Sequence, residues 1–199
     1  MKNLNAVALA AALLVLPASQ ASAFLVQIYD AAPMTTLAQA DAAIAAGTPV
    51  STVNASVIDY DDLGDTTRGL FSLNNAFPGG ITETFAARVT GNFFVATAGT
   101  WTFGINHDDG ARLKIDGTLV AFGDGVVDNR NTTITGSFAA GLHTVEIVYF
   151  ENSGGASLEF YGRQGSGPNA LVQSVPEPTT LALVGLSLLG LGLSRRKQA

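Results

Sequence analysis

The chain has 199 residues, 47% of them hydrophobic and 13% charged, with a formal net charge of −6 and no cysteine. Without cysteine there is no disulfide, thiol catalysis or thiolate-held zinc, and the two histidines, His107 and His143, are too few for an ordinary zinc centre. The acidic balance repels phosphate backbones, so nucleic acid is not an expected partner, whereas divalent cations and neutral sugars are admitted.

The N-terminus reads M-K-N-L-N, then an apolar core, then Ala21-Ser22-Ala23. That order of charged region, hydrophobic core and small-residue cleavage site predicts a secretory signal peptide over 1–23, cut after Ala23. The stretch from Phe24 to Ser174 is long enough for one domain with a full core. It holds six basic residues against fifteen acidic ones, a net charge of −9, so the exported domain is more acidic than the whole chain.

Within that domain F-L-V-Q-I-Y predicts a first strand from Phe24. Thr36 followed by Gln39 fits a capping box; Leu37, Ala40 and Ile44 share a face, and Gly47 with Pro49 supplies a stop, so one short helix is expected. Beyond it the signals are strands and turns. Trp101, Phe103 and Ile105 alternate with Thr102, Gly104 and Asn106 as in a half-buried strand. Leu113 and Ile115 alternate with polar neighbours up to Asp116-Gly117, a hairpin turn signal, and T-L-V-A-F returns from it. I-T-G-S-F, H-T-V-E-I-V-Y-F and A-S-L-E-F-Y follow, separated by Ala140-Gly141 and Ser153-Gly154-Gly155. Many short strands with glycine-rich turns predict an all-β fold, an antiparallel β-sandwich over 24–161 with one short helix. The Gly, Ser and Gln content of 162–174 predicts a flexible linker.

The stretch N-H-D-D-G sets Asp108 beside Asp109. Successive side chains of a strand point to opposite faces, so two neighbouring aspartates share one ion only on an unusual backbone. The competing reading is a pair of turn residues that bond nearby backbone N–H groups. Among the other candidates, His107 reads as a solvated loop residue, His143 as structural within its strand, and Trp101 as core. Asp61-Asp62 reads as a surface loop.

The C-terminus carries Val175-Pro176-Glu177-Pro178, an uncharged run of 15 residues over 179–193, and Arg195, Arg196 and Lys197. Such a run spans about 22 Å as a helix, short of the roughly 30 Å hydrocarbon core. Flanking basic side chains or local thinning of the bilayer would close the gap, so a brief transmembrane segment is expected at 179–193.

These last 25 residues, 175–199, resemble the PEP-CTERM sorting signal. The resemblance implies an exosortase-type membrane protease that recognises Pro176-Glu177-Pro178, with Arg195 and Arg196 on the cytoplasmic side. It further implies transient membrane anchoring in the inner membrane, then release to the cell envelope, surface or extracellular matrix.

The blocks D-D-G-A-R-L-K-I-D-G and A-G-L-H-T-V-E-I-V-Y-F-E resemble the protective-antigen domain (PA-fourteen) family, closely over 99–160 and weakly back to Phe24. That resemblance implies a β-sandwich in which Asp108 and Asp109, joined by a cis peptide, hold calcium. Asn152 and Glu151, at the end of the Y-F-E strand, are the further ligands it suggests. It also implies that calcium, Asp108, Asp109 and Asn152 bind a glycan or exopolysaccharide. The functional expectation is a sorted, carbohydrate-binding module, and the alternative is a structural matrix protein of the same fold with no ligand site. Enzymatic activity is not expected, because the acids lie on short turns of a domain too small to add a catalytic fold.

Overall fold

The computed structural model describes residues 23–62, 69–73 and 75–175. The signal-peptide expectation, apart from Ala23, lies outside these residues, as do Pro176, Glu177, Pro178, the expected span at 179–193, Arg195 and Arg196. Among the described residues no helix is long and apolar enough to cross a membrane.

Two antiparallel sheets enclose one main core. The first has six strands: β1 (Phe24–Asp30), β2 (Ser51–Ala55), β4 (Phe85–Val95), β6 (Gly110–Ile115), β7 (Thr118–Gly123) and β9 (Gly141–Glu151), in the order β2-β1-β4-β9-β6-β7. The second runs β11 (Ala170–Leu171), β10 (Ser157–Gln164), β5 (Gly99–Asp108), β8 (Arg130–Phe138), with β3 (Asp59–Asp61) also paired to β10. The core between the sheets is aromatic. Phe93 meets Phe103 and Phe160 edge-on with centroids 5.2 and 5.6 Å apart, and Phe77 stacks on Tyr149 at 5.6 Å. Each such fully buried ring contributes roughly 1.5–3 kcal/mol relative to exposure.

The one helix, α1 (Leu37–Ala46), starts where the capping box predicts it. The Thr36 side chain accepts from the Gln39 N–H, while the Gln39 side chain accepts from the Thr36 N–H at 3.1 Å. Leu37 and Ala40 are buried against Tyr29, Ala86, Val148 and Phe150 on the outer face of the six-stranded sheet, with Ile44 half-buried beside them. Arg112 clamps Asp41 with two bonds of 2.9 and 2.7 Å and ties the helix to β6. The hairpin between β6 and β7 turns at Asp116 and Gly117, with φ of 51° and 74°. Both lie in the left-handed region that a type I′ turn needs.

Three expectations need correction. The segment 162–174 is not a free linker: β10 runs on to Gln164, β11 pairs with it, and the Ser174 N–H donates to the Ser56 carbonyl at 2.8 Å. Composition misled there because the attachment is made by main-chain groups, which any side chain permits. Asp61 is not in a surface loop but on β3, 3% exposed, opposite Ser157. Strand β5 is not half-buried: every residue from Thr102 to Asp108 is buried, with Phe103 and Ile105 in the core and Gly104, on the other face, packed beneath the Tyr161 and Thr133 side chains.

Candidate metal centre

Strand β5 belongs to the five-stranded sheet and β6 to the six-stranded one, with only Asp109 between them. The Asp108–Asp109 pair is therefore where the chain crosses from one sheet to the other. The peptide bond joining the two is cis. Asp108 is registered opposite Ser157 of β10, and Gly110 opposite Phe150 of β9. The next residue of β9, its last, is Glu151, so strand pairing carries this third carboxylate to the crossing.

The three carboxylates converge. Asp108, Asp109 and Glu151 each offer an oxygen within 4.8 Å of the others, and the residues are 3%, 2% and 0% exposed. Among the described residues they form a group with the oxygen set a hard cation prefers. Holding three such side chains together out of water is costly unless positive charge or hydrogen bonding compensates.

The surrounding bonds fix their orientation. Asp109 Oδ1 accepts from the Val127 N–H and Oδ2 from the Asn152 N–H, both at 2.9 Å. The Tyr149 hydroxyl donates to the Asp108 carbonyl and lies 3.0 Å from Glu151 Oε2. In the same loop as Val127, Asp124 Oδ1 accepts from the Leu37 N–H at the helix N-terminus, 2.7 Å, and from the Gly125 N–H at 3.0 Å.

Two glycines leave room for this packing. A Cβ on Gly110 would stand 2.3 Å from Phe150 Cε1, and one on Gly123 would stand 2.5 Å from His107 Cε1. Real Cβ contacts are not that short, so neither site accepts a side chain without a shift of the ring beside it.

His107 is where the sequence reading fails. It is fully buried, not solvated: its Nδ1 bonds the Asp109 carbonyl at 2.5 Å and its Nε2 the Thr132 hydroxyl at 2.9 Å. A carbonyl only accepts, so Nδ1 carries the proton and Nε2 accepts from Thr132. Burial pushes the imidazole below its ordinary pKa, against the opposing pull of the Asp109 carbonyl, and the ring is neutral at pH 7. Its ring ties the Asp109 main chain to Thr132 of β8. A histidine followed by two acids looks solvated in one dimension; Gly123 of β7 and Thr132 of β8, both distant in sequence, pack against its ring.

Of the other candidates, Asn152 meets the site through its backbone N–H, while its side-chain amide lies 3.5 Å from Ser153 Oγ. His143 is structural, bonded to Asp116 at 2.6 Å and to the Ala139 carbonyl at 3.0 Å. Trp101 is half-buried and stacks on Phe103 at 5.7 Å.

A second acidic group was not assembled by the sequence reading, which met Asp61 only as a loop residue. Asp59 of β3 is registered opposite Glu159 of β10, with Asp61 nearby, and all three residues are at most 3% exposed. Glu159 accepts from the Leu70 N–H at 2.7 Å and the Phe71 N–H at 2.8 Å, and Asp59 accepts from Leu73 at 3.2 Å. Burial pushes the Glu159 carboxyl up to about 7, and the charges of Asp59 and Asp61 add to that. Residues 59 and 159 are joined by a strand pairing that no local pattern announces.

Comparison with known proteins agrees with this architecture. The PA14 domain from the MpAFP antifreeze protein superposes with a TM-score of 0.62 at 16% identity, over 81% of this chain and 95% of that one. The PA14 sugar-binding domain from an RTX adhesin gives 0.60 at 24% identity, over 78% and 99%. The epithelial adhesin 6 A domain of Candida glabrata, solved with Galβ1-3GlcNAc, gives 0.54 at 13% identity, over 81% and 87%. No curated protein matches the chain. A PEP-CTERM protein-sorting motif matches residues 174–197. The PA14 domain model matches residues 55–170, more than half of the sequence, and the chain belongs to the PA14 domain family.

Proposed function

We propose that this chain is an exported, non-catalytic binding protein whose sandwich takes up carbohydrate through a calcium ion held by Asp108 and Asp109. Glu151 and the Asn152 side chain complete the protein ligands. The observation that carries the reading is the convergence of three buried carboxylates at the sheet crossing. Calcium takes six to eight oxygens, more than this set supplies, and sugar hydroxyls are suitable donors for the remainder. Two similar folds, the RTX adhesin domain and the Candida glabrata adhesin, are sugar-binding by their own descriptions, which supports the same use here.

The sorting motif at 174–197 supports export to the envelope or surface. In this reading 1–23 is a signal peptide removed after Ala23, and 179–193 anchors the chain transiently in the inner membrane. An exosortase-type protease then cuts at Pro176-Glu177-Pro178, with Arg195 and Arg196 retained on the cytoplasmic side. The ligand is a glycan of the matrix, such as exopolysaccharide.

A glycan array probed with residues 24–175 tests the binding claim. The expected result is retention on a defined set of glycans in calcium, lost on chelation and lost in an Asp108→Ala, Asp109→Ala variant. Retention that survives both treatments would refute a calcium-borne sugar site, and no retention at all would leave a structural matrix protein.

A further inference from the structure

Beside α1 the outer face of the six-stranded sheet holds a hollow of about 510 Å³, within the range of small-ligand pockets. Arg88 of β4 and Arg112 of β6 are both registered opposite Val148 of β9, which is buried and lines the hollow between them. Two residues along, Lys114 of β6 stands opposite Glu146 of β9. Three of the six basic residues of a domain with a net charge of −9 thus line one hollow. Its border on the edge strand is apolar: Phe122 of β7 lies opposite Arg112 and Leu119 opposite Lys114, both exposed.

The ion pairs leave this group unbalanced. Arg112 is committed to α1 by its two bonds to Asp41. Arg88 and Lys114 share Glu146, one on each oxygen, at 2.7 and 3.2 Å. Those bonds leave further N–H donors on both head groups, whose side chains are 41% and 34% exposed. The bonds from Arg112 and Arg88 hold the Asp41 and Glu146 carboxyls below the ordinary carboxylate range, so both are ionised at pH 7. Three cations then face two anions in the hollow. Asp124, whose charge also acts on Arg112, is turned to the helix N-terminus, where it accepts from Leu37. Exposed pairs contribute at most about 1 kcal/mol, which is a weak reason to gather two cations around one carboxylate. We propose that this hollow binds a carboxylate of an acidic polysaccharide, held by Arg88 and Lys114, with Phe122 and Leu119 against the apolar face of the sugar. The Arg88 guanidinium matches a planar carboxylate, and one such group neutralises the excess positive charge. A polyanion as dense as nucleic acid meets the negative field of the whole domain, whereas single charges spaced along a sugar chain meet it far less. The site needs no calcium and is independent of the aspartate pair.

The test is calorimetry of the full chain, in non-ionic detergent with chelator, titrated with a galacturonic acid tetramer. Saturable heat is expected, and none with the methyl-esterified tetramer, which keeps the rings and loses the charge. Arg88→Gln with Lys114→Gln should weaken binding about tenfold, the worth of one charge-assisted hydrogen bond. Glu146→Gln removes the competing negative charge and should tighten binding about threefold; a purely structural ion-pair network gives no such gain. Asp108→Asn with Asp109→Asn should change nothing, which separates this site from the calcium centre. Thermal melts check that each variant remains folded. The basic tail at Arg195, Arg196 and Lys197 is common to all variants, so binding that survives the Arg88 and Lys114 substitutions would overturn the proposal. So would the absence of heat, equal binding of the ester, or weaker binding in Glu146→Gln. A thymidine oligonucleotide bound as tightly as the tetramer would overturn the assignment to an acidic sugar.

Discussion

Two triads of buried carboxylates lie along the same part of β10, one through Asp108 opposite Ser157 and the other through Glu159 two residues on. Both accept from main-chain N–H groups, Asp109 from Val127 and Asn152 in the first triad and Glu159 and Asp59 in the second, and they differ in how closely their carboxylates approach one another. Asp59 and Glu159 accept from the backbone of residues 70–73, so this triad holds a covering segment against the sheet. Asp108, Asp109 and Glu151 converge on one another within 4.8 Å. Buried acid alone does not make a cation site; the convergence of three carboxylates on one point is what makes the first triad the candidate.

The largest expected effect comes from Gly110→Ala, whose Cβ would collide with Phe150. Overpacking at the crossing should cost about 3 kcal/mol, lowering the melting temperature by roughly 6–12 °C for a domain of this size and abolishing calcium uptake. A variant that melts like wild type and still binds calcium would show that the close approach is not needed.

Next is the pH response of the clamp. Glu159 has a folded pKa of about 7 against an ordinary 4.5, so its contribution is fully present below the ordinary value and is lost as pH rises through about 7. Between pH 5 and pH 8 the wild type should lose up to about 3 kcal/mol from this group. Glu159→Gln keeps an acceptor for the Leu70 and Phe71 N–H groups and should flatten the curve between those values. Denaturant melts at both pH values measure this, and a variant as pH-sensitive as wild type would remove Glu159 from the account.

A smaller effect separates the two roles of Asn152. Its N–H holds Asp109 whatever the side chain, so Asn152→Ala should leave the melting temperature of the metal-free domain unchanged. If the side-chain amide is a ligand, calcium affinity falls about tenfold, or about 1.4 kcal/mol, as read by calorimetry. Unchanged affinity would take the amide out of the ligand set.

The smallest is the His143–Asp116 pair. Burial pushes the His143 imidazole down, but its bonds to the Ala139 carbonyl and Asp116 outweigh that and hold it above the ordinary value. Its contribution is complete below pH 6.5 and fades as pH rises through the raised value. With Asp116 half exposed, His143→Gln should cost no more than about 1 kcal/mol at pH 5.5 and less at pH 8. Equal costs at both values would show that charge plays no part.

Much of the scaffold was legible because its signals are local. The Thr36/Gln39 box, the strand segments of β5 and β9, and Asp116-Gly117 each act within a few residues, and the structure realises them, although the burial of β5 does not alternate. Asp108, Asp109 and Glu151 came from family resemblance, and strand register then joins them. What stayed hidden depends on distant cover. His107 is covered by β7 and β8, Asp61 pairs with β10, and 170–175 is docked by main-chain bonds that side-chain composition does not encode.

The central claim is that the first triad is a cation cage. Its most direct test is a thermal melt of chelator-stripped residues 24–175, with and without calcium, beside an Asp108→Asn, Asp109→Asn variant. Saturation at a hundredfold excess over Kd is worth about 2.7 kcal/mol, so calcium should raise the wild-type melting temperature by about 5–11 °C and leave the variant unmoved. The metal-free variant sheds like charge but keeps only one acceptor where Asp109 uses two, so each protein's melting temperature is compared with its own metal-free value. A wild type indifferent to calcium, or a variant that gains as much as wild type, would contradict the account.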